Sequence, residues 1–256
     1  MPIKRLKTRR VKRKKGKTRK QNGGNTSSGS SQSKRIVFYT CFFGPSGSAS
    51  DVVPMKPSNT SACIYFTNNP DASKKAADAG WDVVDVPVDI KTSERDNAMD
   101  SKEVKACPHH FKELQGYTYS CYFDSKLKVK EDDIYDMLKG MEGGVVMLVN
   151  RHPFIANSVK KELNTAMEQP RYAQNKGRYV NLINSKMKNS RYKNKTSVHY
   201  ETSCILRKSG SLVDQIGDEW YEDIKKTGPE CQISFFFIQQ KYSDKIKPLP
   251  VYYGRS

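Results

Sequence analysis

The chain has 256 residues, 45 of them Lys or Arg against 27 Asp or Glu, for a formal net charge of +18 with 36% hydrophobic residues. That length suits one good-sized core or two small ones. No stretch approaches the roughly 18 apolar residues of a membrane span, and no apolar run follows the opening charges as in a secretory signal, so the expectation is an intracellular protein, cytoplasmic or nuclear, not secreted.

The charge is unevenly placed. Residues 1–35 hold 14 Lys or Arg and no acid, which leaves 31 basic and 27 acidic groups in the other 221 residues, a net of +4. Low in apolar residues and fading into Gly, Ser and Asn, the opening predicts a disordered basic arm and linker over residues 1–34, ahead of one folded domain over 35–256. Residues 4–35 suit a polyanion partner, nucleic acid or an anionic membrane face; a solubilising or targeting tail is the plainer reading.

Strands are expected at "IVFYTCFF" (36–43), "ACIYFT" (62–67), "WDVVDVPV" (81–88), "YTYSCYF" (117–123), "GVVMLV" (144–149) and "TSCILR" (202–207). Helical patterns fall between them, over 72–79, 95–106, 132–141, 157–168, 174–188 and 211–226, with Asp132-Asp133 as a helix start and Gly143-Gly144 beyond its end. The alternation predicts an α/β sheet covered by helices. The cysteines at 41, 63, 107, 121, 204 and 231 are scattered without a CxxC pair, which argues against a zinc cluster and for buried thiols in a reducing compartment.

Polar groups follow three of the strands. "ACIYFT" runs into Asn68-Asn69, "YTYSCYF" into Asp124, and "GVVMLV" into Asn150-Arg151-His152. If these strands are parallel the groups line one edge, the carboxyl edge at which open α/β sheets hold ligands. Asn and Asp are also ordinary turn residues, and His-Pro often marks an extended exit from a strand. An aspartate at Asp124 can bind a divalent cation, hydrogen-bond a ribose or act as a base, and spacing does not separate these roles.

At these residues the chain resembles a plant and bacterial glycosyltransferase-like family, formerly of unknown function and associated with plant mucilage proteins. "KACPHHF" (105–111) and "YSCYFDSKL" (119–127) are similar to its central pattern, in which Lys, Pro-His and an aromatic precede a Tyr-Ser-x-Trp-x-Asp-x-Lys/Asn strand end. "FYTCFFG" (38–44), "YFTNN" with Gly80-Trp81, His152-Pro153 with Glu162, "HYETSCILR" (199–207), Trp220 and "CQISF" (231–235) resemble other blocks of the family in the same order. The last block usually reads Arg-Asp-Gln; here Glu230-Cys231-Gln232 keep the Gln alone, and Phe154 and Ile155 stand where an Arg is usual after His-Pro.

The resemblance implies a GT-A-like nucleotide-diphospho-sugar transferase fold with a mixed, mostly parallel central sheet, and transfer of a sugar from a nucleotide sugar, a UDP-sugar by expectation, to a hydroxyl of a glycan or glycoconjugate acceptor. Chemically the burden is the leaving nucleoside diphosphate, whose growing negative charge needs cations. In one reading Asp124 is the single protein ligand of Mn or Mg. In the other, Asp124 holds ribose or sugar hydroxyls while Lys126 and Lys105 neutralise the phosphates without metal. Thr40, Lys105, His109, Lys126 and Gln232 are the candidate donor-binding residues, and Asp124, Glu201 and His152 the candidate catalytic ones. Glu201 is the first candidate for the base; Glu162, within "VKKELNTAM", reads more readily as a solvated helical Glu. The rival reading makes the protein a nucleic-acid- or membrane-tethered binding protein that works through its basic arm, with a weakened transferase-like domain.

Overall fold

The computed structural model describes residues 35–48, 51–153, 157–251 and 253. The predicted basic arm over 1–34 lies outside them, as do Phe154 and Ile155. Each predicted strand is present: β1 (Ile36–Phe42), β2 (Ala62–Thr67), β3 (Asp82–Asp85), β4 (Tyr119–Phe123), β5 (Met147–Arg151) and β6 (Tyr200–Lys208), joined by a short β7 (Ile246–Pro248). They form one sheet in the order β3-β2-β1-β4-β6-β5-β7. All pairings are parallel except those of β6 with β4 and β5, so β6 alone runs against the other six. This is the mixed, mostly parallel sheet of the expected fold class, and β2, β4 and β5 do end at a common edge.

Side chains alternate across the strands, and each face is buried. Ile36, Phe38, Cys121, Phe123 and Leu206 point to one core, and Val37, Tyr39, Tyr122, Val149 and Ile205 to the other. Helices cover both faces because period-two strands buried on two sides leave no polar face to solvent. They are α1 (Pro70–Asp78), α2 (Glu94–Ala106), α3 (Glu131–Met137), α4 (Val159–Ala166), α5 (Pro170–Ala173), α6 (Lys176–Met187), α7 (Ser211–Thr227) and α8 (Cys231–Lys241). The expected 132–141 helix is α3 followed by a 3-10 turn at Leu138–Met141.

Two of the strand-end polar groups have structural duties. Asn69 is the N-cap of α1: its side-chain oxygen accepts from the N–H groups of Asp71 (2.9 Å) and Ala72 (3.0 Å), with Pro70 opening the helix. Asn68 Oδ1 accepts from the N–H of Gly44 at 3.0 Å. Asn150 is fully buried; its amide donates to Ser203 Oγ and to the Tyr253 carbonyl, and accepts from the Tyr253 N–H. These asparagines satisfy the backbone where strands turn into loops.

The helices on the α2 face are tied to one another. Trp220 of α7 is fully buried and its indole N–H donates to the Cys231 carbonyl at 3.0 Å, fixing the start of α8. Arg207 of β6, also buried, donates to Tyr39 Oη at 2.8 Å and to the Lys105 carbonyl at 2.7 Å. A guanidinium at the carbonyl end of α2 is favoured by the helix dipole, and it sets the height at which Lys105 leaves the helix. Five cysteines are buried, Cys41 is half-buried, and all six are free thiols, as expected. Among the described residues no helix is long and apolar enough to cross a membrane.

Candidate active site

Side chains on a helix lean toward its N-terminus, and α2 runs back along the sheet, from Asn97 beside Gly44 to Ala106 beside Gly217 of α7. Lys105, near its end, therefore points back up toward the carboxyl edge of β4. Its Nζ meets Asp124 Oδ1 at 3.2 Å and lies 5.0 Å from the centre of the Tyr122 ring. Tyr122 Oη donates to the same carboxylate oxygen at 2.8 Å. The lysine side chain is 5% exposed and the aspartate 41%, so the pair has a buried cation beneath a carboxylate that reaches solvent.

The electrostatics are mutual. Burial acts to raise the Asp124 pKa, but the charges of Lys105 and Lys102 and the bonds from Tyr122 and Lys105 outweigh it and hold the carboxyl below its ordinary value. Burial also acts to strip the proton from Lys105, and the Asp124 charge, with Cys231 and Glu230 behind it, keeps the ammonium protonated well above the ordinary lysine range. Lys102, one turn earlier on the same helix face, adds a second cation.

A second group of polar side chains meets this pair through the start of α8. Glu230 is the α8 N-cap, accepting from the Gln232 N–H at 3.0 Å. Burial, and next the charge of Glu162, push its carboxyl up to about 7, against the pull of the Gln232 N–H, Lys102 and Lys105. Glu162 of α4 is 3% exposed, with Oε1 accepting from Gln232 Nε2 at 2.8 Å and Oε2 2.7 Å from His199 Nε2. The His199 ring stands 5.5 Å from the His152 ring, and the His152 backbone N–H donates to the His199 carbonyl at 2.8 Å. Thr202 Oγ1 lies 3.3 Å from Cys231 Sγ.

A break in register lets β6 supply several of these groups. Val149 pairs with Ile205, but Asn150 pairs with Glu201, so Thr202, Ser203 and Cys204 bulge on the β5 side while Cys204 still pairs with Phe123 of β4. Bulges of this kind re-aim side chains beside functional sites. The Ser203 carbonyl accepts from the Asp124 N–H at 2.7 Å, which connects the Asp124 strand end directly to the bulge.

The candidates named from sequence thus divide. Asp124 and Lys105 are bonded, Gln232 bonds Glu230 and Glu162, of which Glu230 is near enough for its charge to act on Lys105, and His152 and buried Glu201 lie where β5 and β6 continue beyond the bulge. Lys126 is exposed, just past Asp124. Thr40 is fully buried, with its hydroxyl unpartnered among the described residues, and strand alternation sends it to the face opposite Lys105. Its neighbour Cys41 is the β1 side chain that feels Lys102, Asp124 and Lys105. His109 is carried away by the Pro108 turn: its Nε2 is 3.0 Å from Asp218 Oδ1 and its Nδ1 3.6 Å from Asp214 Oδ1, both on α7. Glu162 and Glu230 are functional candidates that composition and periodicity passed over, although both stand in blocks that carry the family resemblance.

A divalent cation fits Asp124 poorly. One of its oxygens is already shared by an ammonium and a phenol, that ammonium would stand beside the metal, and the residue two positions on is Lys126 instead of a second acid. The residues fit the metal-free alternative better.

No protein-family model matches the chain, and no curated protein matches it. Among solved structures it is similar to mouse xyloside xylosyltransferase 1 in its apo form, with TM-score 0.46 and 11% identity over 84% of this chain and 85% of that one. It is also similar to a CMP:2-keto-3-deoxy-manno-octonic acid synthetase complexed with CTP, with TM-score 0.45 and 11% identity over 85% of this chain and 90% of that one. Likenesses at this distance identify no activity.

Proposed function

We propose that the chain is a glycosyltransferase that moves a sugar from a nucleotide sugar, a UDP-sugar in the first instance, to a hydroxyl of a glycan or glycoconjugate. The observation that carries this reading is the Lys105–Asp124 pair at the carboxyl edge of β4, with Lys102 beside it. Burying an ammonium costs several kcal/mol unless it is compensated; Asp124 compensates this one while its carboxylate reaches solvent, so the charge stands close to the edge at which open α/β sheets hold ligands. The leaving diphosphate is that use: its negative charge grows as the sugar–phosphate bond breaks, and preorganised cations stabilise it at no reorganisation cost.

In this reading Lys105 and Lys102 face the diphosphate, while the open side of the Asp124 carboxylate accepts from ribose or sugar hydroxyls. Glu230, with a pKa brought to about 7 by burial and by the Glu162 charge, is poised near the operating pH to take the acceptor hydroxyl's proton. It stands where the resembling family has Arg, so the two differ in how they activate the acceptor. His152 and Glu201, further along the same edge, contact the acceptor sugar. The Glu162–His199–Gln232 cluster positions the start of α8 and hence Glu230.

A thermal-shift panel with UDP, GDP and their sugars, with and without Mn, tests the reading, because a ligand that binds only the folded form raises the midpoint by mass action. A UDP-sugar is expected to raise it by several degrees without Mn. A panel in which no nucleotide moves the midpoint removes the transferase reading, and a shift that appears only with Mn restores Asp124 as a metal ligand.

A further inference from the structure

We propose that Cys107, His109, His110 and Asp218 form a four-ligand zinc site that fastens the end of α2 to α7. Cys107 ends α2, His109 and His110 follow in the 3-10 turn Pro108–His110, and Asp218 lies in the middle of α7. One ligand atom from each of the four lies within 4.8 Å of all the others. His109 Nε2 and His110 Nε2 stand 3.0 and 3.2 Å from the same oxygen, Asp218 Oδ1. Ligand atoms around a tetrahedral zinc at bonds of about 2.0–2.1 Å are about 3.3 Å apart, which the two distances to Asp218 Oδ1 already match within tenths of an ångström.

The far side of each ring strengthens the case. His110 Nδ1 is 2.9 Å from Glu103 Oε1 and His109 Nδ1 is 3.6 Å from Asp214 Oδ1. His110 thus has a carboxylate within hydrogen-bond distance of its far nitrogen, while His109 Nδ1 is buried without a hydrogen-bond partner among the described residues. With a cation between the Nε2 atoms, His110 Nδ1 faces Glu103 at 2.9 Å, the usual support for a metal-bound histidine. The mixed nitrogen, sulfur and oxygen set in a compact cluster selects zinc over calcium or magnesium.

Binding forms four bonds to the ion and releases the Cys107 thiol proton to solvent, and the two charges of the metal balance the thiolate and the Asp218 carboxylate. The four protein ligands close the shell, which makes the site structural. The two helices already touch here: a Cβ on Gly217, the residue before Asp218, would lie 2.4 Å from the Ala106 carbonyl oxygen. The clamp therefore braces the turn of α2 that carries Lys105. It is separate from the Asp124 edge and stands whether or not the transferase reading does. Spacing concealed it, because three ligands are nearly consecutive and the fourth stands 108 positions further on.

The test is cobalt titration of the full-length chain, with zinc content measured by mass spectrometry after purification without chelator. The expected result is one metal per chain. Cobalt should give the visible bands of a tetrahedral ion and a near-ultraviolet thiolate-to-cobalt band that Cys107→Ser removes. Asp218→Asn, on a half-exposed helix position, should weaken cobalt binding at least tenfold and abolish the fall in thermal midpoint that a chelator causes in the parent. Protein that takes up no cobalt, or bands unchanged in both variants, would overturn the site.

Discussion

Lys105→Met is expected to lower the affinity for a nucleoside diphosphate by about tenfold to a hundredfold while leaving a folded protein. Methionine keeps most of the buried stem and removes the ammonium. What is lost is a charge-assisted contact with phosphate, worth about 1.5–3 kcal/mol, and each 1.4 kcal/mol is about tenfold in affinity. The folding cost should be smaller than for a fully buried pair, because Asp124 is 41% exposed and water can take over part of the contact. The acid limb should change as well. Asp124 is held below its ordinary pKa, so the stability it contributes is present above the unfolded value of about 3.9 and is lost as pH falls through the folded one. The variant should show less of that loss, because Lys102 and Tyr122 still act on Asp124. Calorimetric titration with UDP, alongside a thermal midpoint, checks both; unchanged affinity in a well-folded variant would take Lys105 out of the site.

Glu162→Ala is expected to cost about 3–5 kcal/mol of stability, the range for removing one partner of a buried ionic or hydrogen-bonded pair. It strands His199 Nε2 and Gln232 Nε2, both of which now bond a carboxylate that is 3% exposed. At about 2–4 °C per kcal/mol for a domain of this size, the midpoint should fall by roughly 6–20 °C. The pH profile supplies a second readout. Glu230 has its pKa raised to about 7 in the folded state, so its contribution to stability is fully present below the unfolded carboxyl value and lost as pH rises through about 7, a change on the order of 3 kcal/mol. Removing the Glu162 charge takes away the second cause of that rise, so the variant should lose less stability between pH 5 and 8 than the parent. Urea unfolding at the two pH values measures it. A variant within about 0.5 kcal/mol of the parent would mean that Glu162 behaves as a surface residue.

That glutamate shows why parts of the site were illegible in the sequence. Between two lysines and an asparagine in "VKKELNTAM" it has the local signature of a solvated face, and its partners His199 and Gln232 are 37 and 70 residues away. Only the packing of α4 against α8 and the start of β6 buries it. Asp124 was legible because a lone carboxylate after a run of aromatic and small buried residues marks a strand end, and Lys105 because the resemblance joined it to that strand. His109 was assigned to the same place on the resemblance, whereas the turn at Pro108 carries its ring toward α7. Thr40, named from the "FYTCFFG" block, is buried on the sheet face opposite Lys105.

The fold was read more completely than the site. Six strands stood out as runs of β-branched and aromatic residues between turn signals. Helix α8, "CQISFFFIQQK", went unassigned because eight of its residues are buried and no polar stripe reveals a helical period. β7 is three residues long and ends in proline. The alternation that located β2, β4 and β5 also put their ends on one edge, although the asparagines there turned out to cap and tie the backbone.

The central claim is that a diphosphate sits at the carboxyl edge of β4, and a crystal structure of the protein with UDP tests it most directly. The account predicts phosphate oxygens within hydrogen-bond reach of Lys105 or Lys102 and a ribose or sugar hydroxyl at Asp124. UDP bound elsewhere would contradict it, for instance in the cavity of about 160 Å³ between His109, Ser120 and Arg207 at the opposite end of β4.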